Sequence, residues 1–278
     1  MKFSNITIVG VGLIGGSFAL AARRAGLAER ITGWDPNPES LERAFASGMI
    51  DAIASDPTPD SNDECDVGSA SGDASEWDTD LVVLAAPVAG ILNFLESQGK
   101  VLRPGTLVTD VGSTKRAICG SAEKLSAGVH FVGGHPMAGS HEVGSEFARA
   151  DMFAGASYAV VPTSRSSDEA VRTIQDVASG IGAHPIIMNA AEHDRAVALV
   201  SHAPQLLSTA LALAALNNGK SSTTAMAGPG FTSAIRLAAS RWSIWKDICR
   251  TNSDEVSRAL TLVARELESL KTALEAGN

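Results

Sequence analysis

Cysteine is scarce in this chain. Cys65, Cys119 and Cys249 are too few and too widely spaced for a zinc site or a disulfide framework. Concentrated positive charge is scarce too: 22 Lys and Arg stand against 31 Asp and Glu, for a net charge of -9. No basic run exceeds short pairs such as Arg23-Arg24. Binding to a phosphate backbone needs clustered Lys and Arg, so no nucleic-acid partner is expected. Long apolar runs are missing as well. Residues 6–22, preceded by Lys2, have the length of a secretory signal, but Gly10, Gly12, Gly15 and Gly16 interrupt them. No other apolar stretch approaches the ~20 residues of a membrane span. The expectation is a reduced, cytoplasmic protein with no membrane segment.

The 278 residues, 45% of them hydrophobic, suffice for a large core and two domains. Up to residue 189, strand-like segments alternate with helical ones. Residues 6–9, 30–34, 81–86, 107–110, 130–132, 158–161 and 185–188 read as strands, with helices over 14–25 and 38–47. Such alternation predicts an α/β Rossmann-type, doubly wound and mainly parallel sheet over residues 1–189. Residues 55–79 break the pattern: they are acidic and polar, with Val67 and Trp77 as their apolar exceptions. They read as a surface insertion, or less simply as a lid.

Residues 190–278 read as an all-α C-terminal domain, with helices over 190–217, 231–239, 243–251 and 254–276. The first is rich in Ala and Leu on several faces and is expected to lie centrally buried, kinked at Pro204. In the last, Val256, Leu260, Val263, Leu267, Leu270 and Leu274 form an a/d seam. Such a seam serves a homodimer through the helical domain, or packs within one subunit.

Strand 6–9 runs into Gly10-Val11-Gly12-Leu13-Ile14-Gly15-Gly16 at the start of a helix. Gly10 permits a tight turn, Gly12 lets a pyrophosphate approach the backbone, and Gly15 lets helix pack on strand. The helix N-terminus offers free N–H groups to the phosphates, with Leu13 and Ile14 in its first turn. Asp35 follows at the spacing of an acid that binds the adenosine ribose. Its charge would repel a 2′-phosphate, which favours NAD over NADP; its alternative role is a helix cap before Pro36. Ala86 and Pro87 end the next strand at the crevice where strand order reverses, and Ser113 follows the strand after that. His135, in Gly133-Gly134-His135-Pro136-Met137-Ala138-Gly139, is placed at the same sheet edge. It is a candidate proton acceptor, the alternative being a histidine that satisfies a loop's hydrogen bonds.

Five ordered motifs resemble the prephenate and arogenate dehydrogenases of tyrosine biosynthesis. They are the glycine loop at 10–16, Asp110-Val111-Gly112-Ser113-Thr114-Lys115, the segment 133–139, Ser201-His202-Ala203-Pro204, and Gly230-Phe231 through Arg236 to Trp245-Lys246-Asp247. The resemblance covers nearly the whole chain. It implies an NAD-dependent oxidative decarboxylation in which His135 takes the proton of a ring C4 hydroxyl as hydride leaves C4. Ser113 orients both groups, and Arg236 clamps the ring carboxylate, which departs as CO2. Ser140, His202, Gln205 and Trp245 are implied at the substrate end.

Two departures stand out. Many family members have a second histidine where Gln205 stands, near the substrate's side chain, and an acidic residue where His141 stands, beside Glu142. Gln205 leans towards arogenate or mixed use. The competing readings are a 3-hydroxyacid dehydrogenase of the 6-phosphogluconate type and a non-catalytic NAD-binding sensor. The former relies on a helical-domain lysine; the helix 190–217 has none, and Lys220 lies beyond it. No chorismate mutase segment or regulatory module is read in the chain, so no control by tyrosine follows from an added module, and competition by tyrosine at the active site stays open.

Overall fold

The computed structural model describes residues 2–54, 77–99, 102–140, 142–219 and 221–277. It divides into two compact units, Met1–Ala190 and Ala191–Asn278.

The first unit is an α/β sandwich. Its strands are β1 (Phe3–Val9), β2 (Ala28–Trp34), β3 (Ala52–Ile53), β4 (Leu81–Leu84), β5 (Leu107–Asp110), β6 (His130–Pro136), β7 (Ser157–Pro162) and β8 (His184–Ile187). They form one sheet in the order β3-β2-β1-β4-β5-β6-β7-β8, parallel except where β6 meets β7. The order reverses between β1 and β4, which opens a crevice at their carboxyl ends. Helices α1 (Leu13–Arg24), α2 (Pro38–Ala46), α3 (Val88–Ser97), α4 (Arg116–Ala122) and α5 (Asp168–Gly180) cover the two faces.

Side-chain alternation sorts the core into two layers. Leu81 and Val83 of β4 join Phe18 of α1 and Ile174 of α5 on one face. Val82 and Leu84 join Ile91 and Phe94 of α3 and Ile118 of α4 on the other. Strands buried on both faces read as continuous apolar runs, as Leu81-Val82-Val83-Leu84 does.

β6 is longer than residues 130–132. It continues through Gly133, Gly134, His135 and Pro136 because β7 pairs with it antiparallel, from Val132 opposite Pro162 to Pro136 opposite Tyr158. His135 is therefore the penultimate residue of the strand rather than part of the loop after it. Most of the insertion read at 55–79 lies outside the described residues. Its last residues are anchored instead: Trp77 is buried against Phe94, with ring centroids 5.7 Å apart, and Thr79 is buried too.

The second unit is helical: α6 (Ala190–Val197), α7 (Ala203–Asn218), α8 (Ser221–Ala225), α9 (Pro229–Ile235), α10 (Trp242–Thr251) and α11 (Ser253–Glu275). A π-helical turn, Ala198–His202, joins α6 to α7, and Pro204 falls in the first turn of α7, where its missing N–H is tolerated. Two expectations are corrected here: that no further apolar stretch has the length of a membrane span, and that the first helix lies centrally buried. The run Ala190–Asn217 is one helix of 28 residues, whose most apolar 18-residue window has a mean hydropathy of 1.4. By length and composition it is long enough to cross a membrane, because the π turn keeps it continuous past Pro204. It is not centrally buried: Leu211, Leu213 and Leu216 of α7 are exposed. Along the α11 seam, Val256 is buried and Leu260 packs against the unit's small core, but Leu267, Leu270 and Leu274 face outward.

Candidate active site

The turn after β1 is built by glycine. Gly10 has φ +94°, and a Cβ there would lie 2.7 Å from the Ala85 carbonyl oxygen. A Cβ on Gly15 would lie 1.9 Å from the Gly10 carbonyl oxygen, so only glycine allows α1 to start this close to the turn. Gly12, the N-cap of α1, faces open space, leaving the first backbone amides of the helix approachable. Leu13 is buried and Ile14 packs against the core, so both hold the helix start rather than face the opening.

Asp35 stands at the end of β2. Its Oδ2 accepts Val11 N–H at 3.0 Å and its Oδ1 accepts Asn37 N–H at 2.9 Å, so the carboxylate ties the glycine turn to the next loop. The cap of α2 is Asn37, whose side chain accepts Glu39 N–H, and not Asp35. A cavity of about 340 Å³ opens here, with Gly10, Gly12, Asp35, Ala86, Pro87 and Phe94 among its walls. A strand-glycine-helix turn, an acid at the end of the second strand and an apolar cleft beside them fit a dinucleotide.

Ser113 is half-buried on the turn between β5 and α4, and His135 is buried on the adjoining strand β6, opposite Ala159. One carboxylate links them. Asp110, wholly buried at the end of β5, accepts Gly112 N–H at 2.8 Å and Gly134 N–H at 3.1 Å, and it pairs with the equally buried Lys115. Ser140 is exposed, and its hydroxyl accepts Glu142 N–H at 3.2 Å. His141 lies outside the described residues, as does Lys220.

In the helical unit, Arg236 opens a 3₁₀ turn, Arg236–Ala239, and is exposed. It lines an open cavity of about 780 Å³ with Gly228, Pro229, Thr232 and Ser233. Helix α7 pins this turn twice: Gln205 Nε2 donates to Leu237 O at 2.7 Å, and Ser208 Oγ accepts Ala238 N–H at 3.1 Å. Gln205 is buried, and its Oε1 has no partner among the described residues.

His202 is buried too, with its ring edge-on to Trp245 at 5.9 Å. Asn252 Nδ2 donates to Asp194 O at 2.8 Å and lies 3.3 Å from His202 Nδ1. An amide nitrogen can only donate, so Nδ1 accepts and the neutral ring carries its proton on Nε2. Burial drives the His202 pKa down to about 4, against the opposing pull of Asp194. His193 Nδ1 meets Asp194 Oδ1 at 2.8 Å, completing a buried polar cluster.

Sequence reasoning assigned no role to Asp110, Lys115, His193, Asp194 or Asn252. Asp110 and Lys115 stood inside a quoted motif, and a charged pair flanking an otherwise apolar strand end was the available signal. Asn252 lies 50 residues from His202 and carried none.

The comparisons with known proteins follow this division. The family model described as prephenate dehydrogenase, nucleotide-binding domain, matches residues 18–187, and that described as prephenate dehydrogenase, dimerization domain, matches residues 189–278. The chain belongs to the prephenate dehydrogenase family. It is 32% identical to prephenate dehydrogenase of Bacillus subtilis over 275 residues, spanning 98% of this chain and 70% of that protein. Among solved structures, the Aquifex aeolicus prephenate dehydrogenase in complex with hydroxyphenyl propionate and NAD+ matches with TM-score 0.86 and 28% identity, over 100% of this chain and 92% of that one. Synechocystis arogenate dehydrogenase matches with TM-score 0.80 and 27% identity, over 98% and 92%. Membership of this family does not favour the 6-phosphogluconate-type alternative.

Proposed function

We propose that this chain oxidises and decarboxylates prephenate, arogenate or both, using NAD. The observation that carries the reading is the placement of His135. It is buried at the carboxyl end of β6, beside the turn bearing Ser113, in the unit that also holds the glycine turn and Asp35. Relatives named for both substrates support it.

The dinucleotide would lie along the glycine turn, with its phosphates at the amides of α1 and its adenosine ribose at Asp35. Bound NAD supplies the acceptor for the hydride that leaves C4. His135 accepts the proton of the C4 hydroxyl, and Ser113 Oγ orients that hydroxyl towards the imidazole. The ring carboxylate sits in the two-pronged guanidinium of Arg236. As the C1–carboxylate bond breaks, its electron pair enters the ring, the C4 oxygen becomes a phenolate that takes a proton back to give the phenol, and CO2 departs. The family resemblance also gives substrate-binding roles to Ser140 in the first unit and to His202, Gln205 and Trp245 in the helical one. With its Nε2–H unpaired among the described residues, His202 offers a donor to a carboxylate, while Gln205 Oε1 offers an acceptor.

We also assign a homodimer through the helical unit. The exposed leucines of α7 and α11 form apolar faces of the kind that a second copy covers, and the matched dimerization domain agrees. Absorbance at 340 nm with NAD and each substrate tests the activity. NADH is expected with at least one of them; none with either overturns the reading, and the ratio of rates gives the preference.

A further inference from the structure

Asp110 and Lys115 are both wholly buried and paired with each other. Two charges removed from water are costly, and an apolar pair of similar volume often serves stability as well or better. The pair therefore needs a further reason to be there, and the hydrogen bonds of Asp110 supply one. Its Oδ2 holds Gly112 N–H, the amide just before Ser113; its Oδ1 holds Gly134 N–H, the amide just before His135.

The surroundings are shaped to this contact. A Cβ on Gly112 would fall 2.9 Å from Asp110 Oδ2, and one on Gly134 would fall 2.4 Å from the Asp110 carbonyl oxygen and 2.5 Å from the Tyr158 hydroxyl. Burial, with the Asp110 charge beside it, pushes the Tyr158 hydroxyl well above its usual range, so it packs there as a neutral group. Only a carboxylate offers two equivalent acceptor oxygens; the corresponding amide offers one oxygen and one donor.

We propose that Asp110, neutralised by Lys115, is a positioning residue that fixes His135 and Ser113 relative to each other by holding the backbone amide preceding each. This rests on the reading of His135 and Ser113 as the reacting pair. One carboxylate spans the two strands, so a shift of either turn breaks a bond to the same group. Misplacement of a reacting group by about 1 Å costs on the order of 10²-fold in rate.

The test compares the full-length wild type with Lys115→Met and with the double variant Asp110→Asn/Lys115→Met. Lys115→Met strands a buried carboxylate and should lower the thermal midpoint; the double variant removes both charges and should regain it. If the pair positions, the double variant still turns over ~10²-fold slower, with its KM for NAD within about threefold of wild type as a uniform-binding term. Amide exchange at Gly112 or Gly134, followed by NMR, also speeds up at least about tenfold as that amide loses its acceptor. A double variant with wild-type kcat, or with both amides still protected, overturns the proposal. Should the double variant not fold, Asp110→Asn alone carries the same two readings, since its amide oxygen still faces Lys115. The exchange reading needs no turnover. If the wild type acts on neither substrate, the functional reading fails, while amide exchange still decides whether Asp110 fixes both turns.

Discussion

In the nucleotide-binding unit, Val82 and Leu84 point into one apolar layer and Leu81 and Val83 into the other, and helices of the same unit close both layers. In the helical unit, the buried apolar cluster amounts to Ala198, Ala203, Val256 and Ala259, with Leu206 and Leu260 against it. Its larger side chains lie elsewhere: Leu216 is 68% exposed and Leu274 76%. Beside that cluster and the buried Val197 and Ile248, the interior of this second unit holds an equal share of polar residues, His193, Asp194, His202, Gln205, Ser208 and Asn252. One unit completes its core alone and can hold a reacting group rigidly. The other leaves its best apolar surface unspent, as an element does that is finished by a partner.

The largest effect expected falls in the self-contained unit. His135→Asn removes the proposed base and should cut kcat by ~10²–10⁴. Because β6 is locked between β5 and β7, the substitution should leave NAD affinity and the thermal midpoint nearly unchanged. Stopped-flow turnover alongside calorimetric NAD titration checks both, and an unchanged kcat removes His135 from the mechanism.

The proposed dependence of the helical unit on a second copy comes next. Burying a leucine contributes about 1.5–3 kcal/mol, so Leu270→Glu/Leu274→Glu in α11 places two charges where two such terms are expected. Light scattering after size exclusion should show the dimer giving way to monomer at micromolar concentrations. A variant that stays dimeric puts the interface on another face, and the contrast between the units would then need a different cause.

How far the sequence carried differs between the units for the same reason. Strands β1, β2, β4 and β5 were legible because each is buried within its own unit, so composition and environment agree. The length of β6 was not, since it is set by pairing with β7, a contact invisible to local periodicity. The alternation of glycine, histidine and proline over 133–136 reads as a loop until a neighbour supplies its hydrogen bonds. For α7, the abundance of Ala and Leu signalled burial, but Leu211 and Leu216 are exposed, because the described residues of this unit do not pack over them. At the candidate site, the glycine turn and Asp35 follow from spacing. The His202–Asn252 contact joins residues that only the tertiary fold brings together.

The polar residues inside the helical unit give the third prediction. His202 has its pKa lowered from 6.5 to about 4 by burial. The unfolded chain therefore takes up that proton first as pH falls, and stability is lost from about pH 6.5 down towards pH 4. At about 1.36 kcal/mol per pH unit, this one histidine accounts for a loss on the order of 3 kcal/mol by pH 4. Urea unfolding of the wild type and His202→Asn across this window should give curves that converge at low pH. Parallel curves would mean that His202 is not held neutral by the fold.

The smallest effect concerns the substrate end. Gln205 spends its amide nitrogen on Leu237 O, next to Arg236, and its Oε1 has no partner among the described residues. That fixes the orientation of the amide: the free atom is an acceptor, which suits the ammonium of arogenate and opposes the keto oxygen of prephenate. Gln205→His replaces the amide with a ring able to donate from one nitrogen. A single hydrogen bond of about 0.5–1.5 kcal/mol then shifts the ratio of kcat/KM for prephenate over arogenate by roughly 2- to 12-fold, towards prephenate. The same change frees Leu237 O and loosens the turn carrying Arg236, so both substrates should also lose rate together. The ratio isolates the side-chain preference from that common loss. A ratio unmoved within experimental error, with both rates reduced, would make Gln205 a support for the Arg236 turn and nothing more.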